Sequence, residues 1–211
     1  MRVPVPVRQR LQADERRQQI VECAFAMIAK AGFENFRTRD VADRAGINSA
    51  TLHHYFATKE ALIEGVASHL EGLYRDLRSP TAPDPNAPRA LQALRREFDD
   101  ARCLRKDHPD MLAVSAEFML QAKRDRTAAR AISAMHQHWR GQVEAIVRDG
   151  QTAGVFGLGI DPRAASMVVV GALWSATGLL HASDEEFDRM CVELESWLRE
   201  TGQDRRDETA R

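Results

Sequence analysis

The sequence predicts an all-α fold, and three observations carry that expectation. No segment of the 211 residues alternates convincingly at period two, as a half-buried strand would. Apolar residues recur instead at three- and four-residue spacing. The 8 Pro and 12 Gly are few and sit mostly between these periodic segments, so long helices are expected.

Residues 1–13 carry Arg2, Arg8 and Arg10 with two Pro and lack an apolar run long enough for a signal peptide, so they read as a flexible basic N-terminus. Residues 14–60 form the first folded domain. There Ile20, Val21, Ala24, Phe25, Met27 and Ile28 make one face of an amphipathic helix ending at Ala31-Gly32-Phe33. Thr38 is placed to cap a short helix whose Val41, Ala42 and Ala45 face inward while Arg39, Asp40, Asp43 and Arg44 face water. Gly46 can take the positive φ of a helix C-terminus, and Asn48 can cap the next helix. In that helix Leu52 and Phe56 point inward with Ile47, leaving Ser49, Ala50, Thr51, His53, His54 and Tyr55 largely outside. This is the pattern of a helix-turn-helix.

A helix fits the major groove of B-DNA, where hydroxyls and imidazoles bond to base edges and Ala50 or the Thr51 methyl can meet a thymine methyl. Tyr55 and Lys59 are expected at phosphate oxygens, with Arg37, Thr38 and Arg39 on the opposite strand. Together with Asn48, Ser49, Ala50, Thr51, His53 and His54 they form the expected DNA-binding set. Thr58 then caps a further helix beginning Leu62, Ile63, Val66 and ending near Leu77.

Residues 16–70 resemble the DNA-binding domain of the TetR family of bacterial transcriptional regulators. The resemblance runs through Ala31-Gly32-Phe33, Arg39-Asp40-Val41-Ala42, Ala45-Gly46-Ile47, Thr51-Leu52, Tyr55-Phe56 and Lys59-Glu60-Ala61-Leu62. His53 stands where the family pattern usually has Tyr, and Tyr55 where it commonly has His, so the two appear in exchanged order. The resemblance implies an N-terminal three-helix DNA-binding domain joined to a larger C-terminal helical domain that binds an effector and dimerises.

Charge supports this division. The formal net charge is −1, yet residues 1–60 carry 10 Lys and Arg against 7 Asp and Glu, and the remainder carries 20 against 24. The basic excess therefore lies with the motif, and the acidic part is repelled from phosphate. Cys23, Cys103 and Cys191 are odd in number and far apart, which disfavours a disulfide framework or zinc site and fits a reducing cytoplasm. Residues 164–183 lack Asp, Glu, Lys and Arg and so meet the length criterion for a membrane span. Five Ser, Thr and His residues interrupt them, however, and small residues suit a buried interface helix better.

Four prolines between Pro80 and Pro88 break the chain, after which helices are expected over about 89–106, 110–123, 126–152, 162–182 and 184–200. Residues 61–202 thus form the effector-binding and dimerisation domain, and 203–211 a polar tail. Val168, Ala172, Ala176 and Leu179 on one helix, and Phe187, Met190, Cys191, Leu194, Trp197 and Leu198 on the next, give two broad apolar faces. Paired with a two-fold copy they make a four-helix bundle, and a homodimer doubles the length of DNA read.

Phe98, Cys103, Met111, Glu117, Phe118, Met119, Met135, His136, Trp139 and Trp174 are candidates for an effector pocket of flexible and flat side chains. Any one of them alone reads better as core. Glu117 is expected to pair with an Arg or His, or else to meet a polar ligand group. The rival class is a helical enzyme, but His53-His54 and His136-x-His138 lack the i,i+4 spacing of a metal-binding helix, and no nucleophile motif or phosphate loop is present. No catalytic residue, metal or cofactor is assigned. The expected function is a cytoplasmic, homodimeric repressor released from a palindromic DNA operator by a small-molecule effector. A ligand-independent or activating regulator is the alternative.

Overall fold

The computed structural model describes residues 7–77, 79–80, 82, 84–179 and 182–200. Among these the regular structure is entirely helical, with no strand. The helices are α1 (Val7–Ala31), α2 (Thr38–Arg44), α3 (Ser49–Tyr55), α4 (Lys59–Asp76), α5 (Arg89–Asp107), α6 (Pro109–Gln121), α7 (Arg126–Thr152), α8 (Pro162–Trp174) and α9 (Asp184–Glu200). A π-helical turn, Ser175–Leu179, continues α8. No helix among the described residues is long and apolar enough to cross a membrane. The polar tail 203–211 lies outside the described residues.

The sequence periodicity places most elements to within two residues. One difference is at the start, where α1 begins at Val7, so residues 7–13, read as part of a flexible arm, are helical. Another is the division into bodies. One compact unit comprises Met1–Asp76 with Ala113–Ser133, the other Leu77–Leu112 with Ala134–Arg211, rather than a boundary near residue 60. Both α6 and α7 therefore contribute residues to each unit.

In the first unit α1 packs on α4 and α2, and α2 on α3. Ile20, Ala24 and Ile28 of α1, Val41 of α2, Leu52 of α3, and Leu62, Val66 and Leu70 of α4 are all buried, the face expected from their spacing. Val114 and Phe118 of α6 and Ala128 of α7 are buried as well. Phe33 makes edge-on ring contacts with Phe36 and Phe118 at 6.1 and 5.1 Å.

In the second unit one core joins Leu94 and Phe98 of α5, Val143 and Val147 of α7, Val169 and Leu173 of α8, and Phe187, Cys191 and Leu198 of α9. Ion pairs stitch its edge: Arg95 grips Glu195 with two bonds of 2.8 and 2.9 Å, and Arg102 reaches Asp188 at 2.7 Å. Arg105 pairs with Asp184 beside Phe187, whose ring both arginines overlie. Burial and neighbouring acids drive the Cys191 thiol up to about 12, so it stays a protonated apolar side chain. Cys23 and Cys103 are half-buried.

This core corrects the expected dimer face. Ala176, Phe187, Cys191, Leu194 and Leu198 lie inside their own unit and are unavailable to a partner. Ala172, Met190 and Trp197 pack partly against the same core, and the Leu179 side chain lies outside the described residues. Two apolar faces on adjacent helices first satisfied each other. Only Val168 of the expected set stands clear, 48% exposed, with Met167 at 56% and Val192 at 65%.

Gly150 near the end of α7 shows how tightly the second unit is packed, because a Cβ there would overlap the buried Phe156 ring. Gly150→Ala is expected to destabilise the protein by about 1–3 kcal/mol through overpacking. Gly141→Ala, in the same helix with open space around it, should stabilise by up to about 1 kcal/mol. Denaturant melts of the two variants check both signs.

Candidate nucleic-acid interface

The helix-turn-helix is built from local hydrogen bonds. Helix α2 starts after Arg37, whose backbone is extended; Thr38 is the first helical residue and no side chain caps the helix, contrary to the capping role expected of Thr38. At its other end Gly46 takes φ +67, the Gly46 N–H donates to Asp43 O at 3.2 Å and the Ile47 N–H to Ala42 O at 3.0 Å. These paired bonds are a Schellman motif, satisfying carbonyls that the helix end would otherwise orphan. Asn48 Oδ1 then accepts from the Thr51 N–H at 2.8 Å and starts α3. Asn48 therefore commits its acceptor oxygen to the cap.

Helix α3 has seven residues, too few to stand alone in water. Leu52 and Phe56 anchor it, each 1% exposed. Ser49, Ala50, His53 and His54 are exposed, while Thr51 and Tyr55 are half-buried. The His54 and Tyr55 rings meet edge-on at 5.5 Å. The outward surface is thus small, hydroxyl and imidazole in character, with no acidic group on the helix. That chemistry suits base edges and tolerates the adjacent phosphates.

Flanking cations are placed on both sides. Arg37 and Arg39 are exposed and Thr38 half-buried at the start of α2. Lys59 Nζ donates to Phe36 O at 3.1 Å and lies 5.4 Å from the Phe36 ring centroid. An ammonium has three donors, so Lys59 keeps capacity for a phosphate while tying α4 to the loop before α2. A shallow recess of about 440 Å³ lined by Gln12, Ala13, Glu15, Arg16, Gln19 and Tyr55 opens beside the end of α3.

Two positioning roles escaped the sequence reading, that of Arg17 altogether and that of Glu117 in its partner. Arg17 of α1 donates to Tyr55 O at 2.7 Å, and its guanidinium lies 4.1 Å from the Phe56 ring centroid, clamping the end of α3. Glu117 of α6 accepts the Phe33 N–H at 2.9 Å, in the turn that delivers the chain to α2. Gly32 takes φ +71 there, and a Cβ on it would sit 2.9 Å from the Glu117 carboxylate. Glu117 was expected to pair with an Arg or His or to meet a ligand; a backbone amide holds it instead. Neither partner carries a sequence signal, because the contacts join positions 38 and 84 residues apart.

The expected effector set is divided. Glu117, Phe118 and Met119 belong to the first unit, whereas Phe98, Cys103, Met111, Met135, His136, Trp139 and Trp174 belong to the second. Phe98 and Met111 are buried, Phe98 in the second unit's core, and Cys103 Sγ contacts Asp107 at 3.5 Å. His136 and Trp174 do meet, edge-on at 5.1 Å. The Trp139 indole N–H donates to Glu97 at 2.7 Å. Among the described residues no three His, Cys, Asp or Glu are grouped to hold a metal.

Comparison with known proteins agrees with this geometry. Residues 20–66, from α1 to α4, match the family described as "Bacterial regulatory proteins, tetR family". The transcriptional repressor KstR2 of Mycobacterium tuberculosis is 40% identical over 75 residues, covering 34% of this chain and 38% of that protein. KstR2 of Rhodococcus jostii is 27% identical over 143 residues, 64% of this chain and 67% of that protein. The regulator BetI of Yersinia pestis is 30% identical over 93 residues, 41% of this chain and 46% of its own. The shared stretch thus spans less than half of the first and third relatives.

Solved structures extend the likeness in fold to nearly the whole chain. A TetR regulator from Chloroflexus aurantiacus superposes with a TM-score of 0.74 at 14% identity, covering 90% of this chain and 96% of that one. A transcriptional regulator from Saccharomonospora viridis, solved in complex with choline, gives 0.71 at 20% identity over 89% and 97%. With the helix-turn-helix, its supporting helices and the matched residues in agreement, residues 20–66 carry the helix-turn-helix domain of the tetR family of bacterial regulatory proteins.

Proposed function

We propose that this chain is a homodimeric, sequence-specific DNA-binding repressor, released from a palindromic operator by a small-molecule effector taken up in the second unit. One observation carries the reading: α3 is held rigidly by its Asn48 cap and its buried Leu52 and Phe56 while Ser49, Ala50, His53 and His54 face outward. KstR2 relatives are named as repressors, and a fold neighbour holds choline, which supports repression and small-molecule response. An effector that binds one conformation better than another shifts the population, and with it operator affinity.

The dimer contact in this reading narrows to the outer face of α8, which keeps Val168 from the set first expected. Ala164, Met167, Val168 and Gly171 of α8 are all exposed and recur at three- and four-residue spacing, an apolar stripe that a two-fold copy would cover. Val168→Asp is expected to convert the dimer to monomer in sedimentation analysis. A dimer unchanged by this substitution would place the interface elsewhere.

Footprinting on the DNA flanking the chain's own gene tests the main reading. Protection of a discrete palindrome supports it, and uniform coating marks an architectural DNA binder instead. Lys59→Ala should weaken binding to every sequence and lower the slope of log affinity against log salt by about one, as loss of one phosphate contact requires. A loss confined to one operator sequence would contradict the phosphate role. Thr51→Ala and His54→Ala should instead alter base preference in selection from random DNA, with about 1–3 kcal/mol of discrimination at each contacted base.

A further inference from the structure

His136 and Arg140 lie one helical turn apart on α7, in the second unit. His136 Nε2 and Arg140 Nε are both sealed from solvent and have no hydrogen-bond partner among the described residues. Such orphans are rare because burial removes water without replacing it, and a guanidinium keeps its charge at any accessible pH. Nearby polar groups are already engaged: Trp139 Nε1 donates to Glu97 at 2.7 Å, and the Thr177 hydroxyl donates to Trp174 O at 3.1 Å. The Trp174 ring stands edge-on to His136 at 5.1 Å. Trp174 also ends α8 directly before the π-helical turn Ser175–Leu179, a rare geometry frequent at functional sites.

The chemistry of this group is one-sided. Burial first, and then the Arg140 charge, push the His136 imidazole below its ordinary value, so it sits neutral beside a permanent cation. Arg140 Nε can only donate, and His136 Nε2 donates in one tautomer. Two donors, one net positive charge and an indole wall match an anionic oxygen carried on an apolar body.

We propose that His136 and Arg140 are the polar anchor of an effector site for a small organic acid, whose carboxylate accepts from both nitrogens while its apolar body lies against Trp174. The assignment rests on the reading of the chain as a ligand-responsive regulator and adds the charge class of the ligand. A cation such as the choline of the fold neighbour meets Arg140 with like charge and is refused.

Calorimetry on the full chain tests this with matched probes: 4-phenylbutyrate and octanoate, their carboxamides, and choline. At least one acid should bind about tenfold more tightly than its amide, as a charge-assisted bond would give. Arg140→Met should erase that preference, and choline should not bind. Because each substitution removes an unpaired buried nitrogen, Arg140→Met and His136→Leu should melt at or above the parent temperature. Equal binding of acid and amide, no acid binding at all, or full acid affinity in Arg140→Met overturns the anchor. A clear drop in melting temperature for Arg140→Met also overturns it, since that marks a structural partner. Operator footprinting separates the two readings: failed acid binding with intact palindrome protection removes only the anchor, whereas lack of specific protection in the parent removes the regulator reading and the anchor's role as an effector site with it, even where Arg140-dependent acid binding persists.

Discussion

A seven-residue helix gains too little from its own hydrogen bonds to persist in water, so everything that α3 does depends on what holds it. Burial of Leu52 and Phe56 provides the anchor. Two ordinary aliphatic and aromatic side chains taken fully from water contribute about 1.5–3 kcal/mol each. The Schellman bonds at Gly46 and the Asn48 cap fix where α3 begins, and Arg17 fixes where it ends by holding the Tyr55 carbonyl. With both ends and one face committed, the remaining face has no structural task. Its small, hydroxyl and imidazole side chains are free to be chosen for another surface.

The same division of labour extends outward. The turn between α1 and α2 is held by Glu117, whose carboxylate receives the Phe33 amide. Lys59 ties the opposite end of that loop through the Phe36 carbonyl. Each bond is charge-assisted and partly buried, which makes it stronger than a neutral surface contact. They place cations and a backbone scaffold around α3 without using any of its outward residues. Tyr74 of α4, whose hydroxyl meets Ser115 of α6 at 2.9 Å, is pushed up to about 12 by burial, so that pair also stays neutral and bonded.

In the second unit the governing fact is that two apolar helix faces satisfied each other. Phe187, Cys191, Leu194 and Leu198 of α9 share one core with Val169, Leu173 and Ala176 from α8 and its π-helical extension. What α8 leaves outside is a narrower stripe, Ala164, Met167, Val168 and Gly171. A narrow stripe of small and flexible side chains allows close approach of a second helix, which a broad aromatic face would not.

The sequence by itself determined the helices, the turn at Gly46, the Asn48 and Thr58 caps and the buried positions of α1 to α4, because each follows from local spacing or from residue types with few conformational alternatives. Its error at Thr38 was local too, since a cap can shift by one residue without changing the apolar pattern. Only the tertiary structure decided the rest. Periodicity says that a face is apolar but not whether its own chain or a partner covers it, which is why Ala176, Phe187, Cys191, Leu194 and Leu198, expected at a partner, lie in the core of their own unit. A charged residue's partner is equally invisible when it lies 38 or 84 residues away, as for Arg17 and Glu117. The orphaned nitrogens of His136 and Arg140 belong to the same class, because the want of a partner is a property of the packed interior and not of any spacing along the chain.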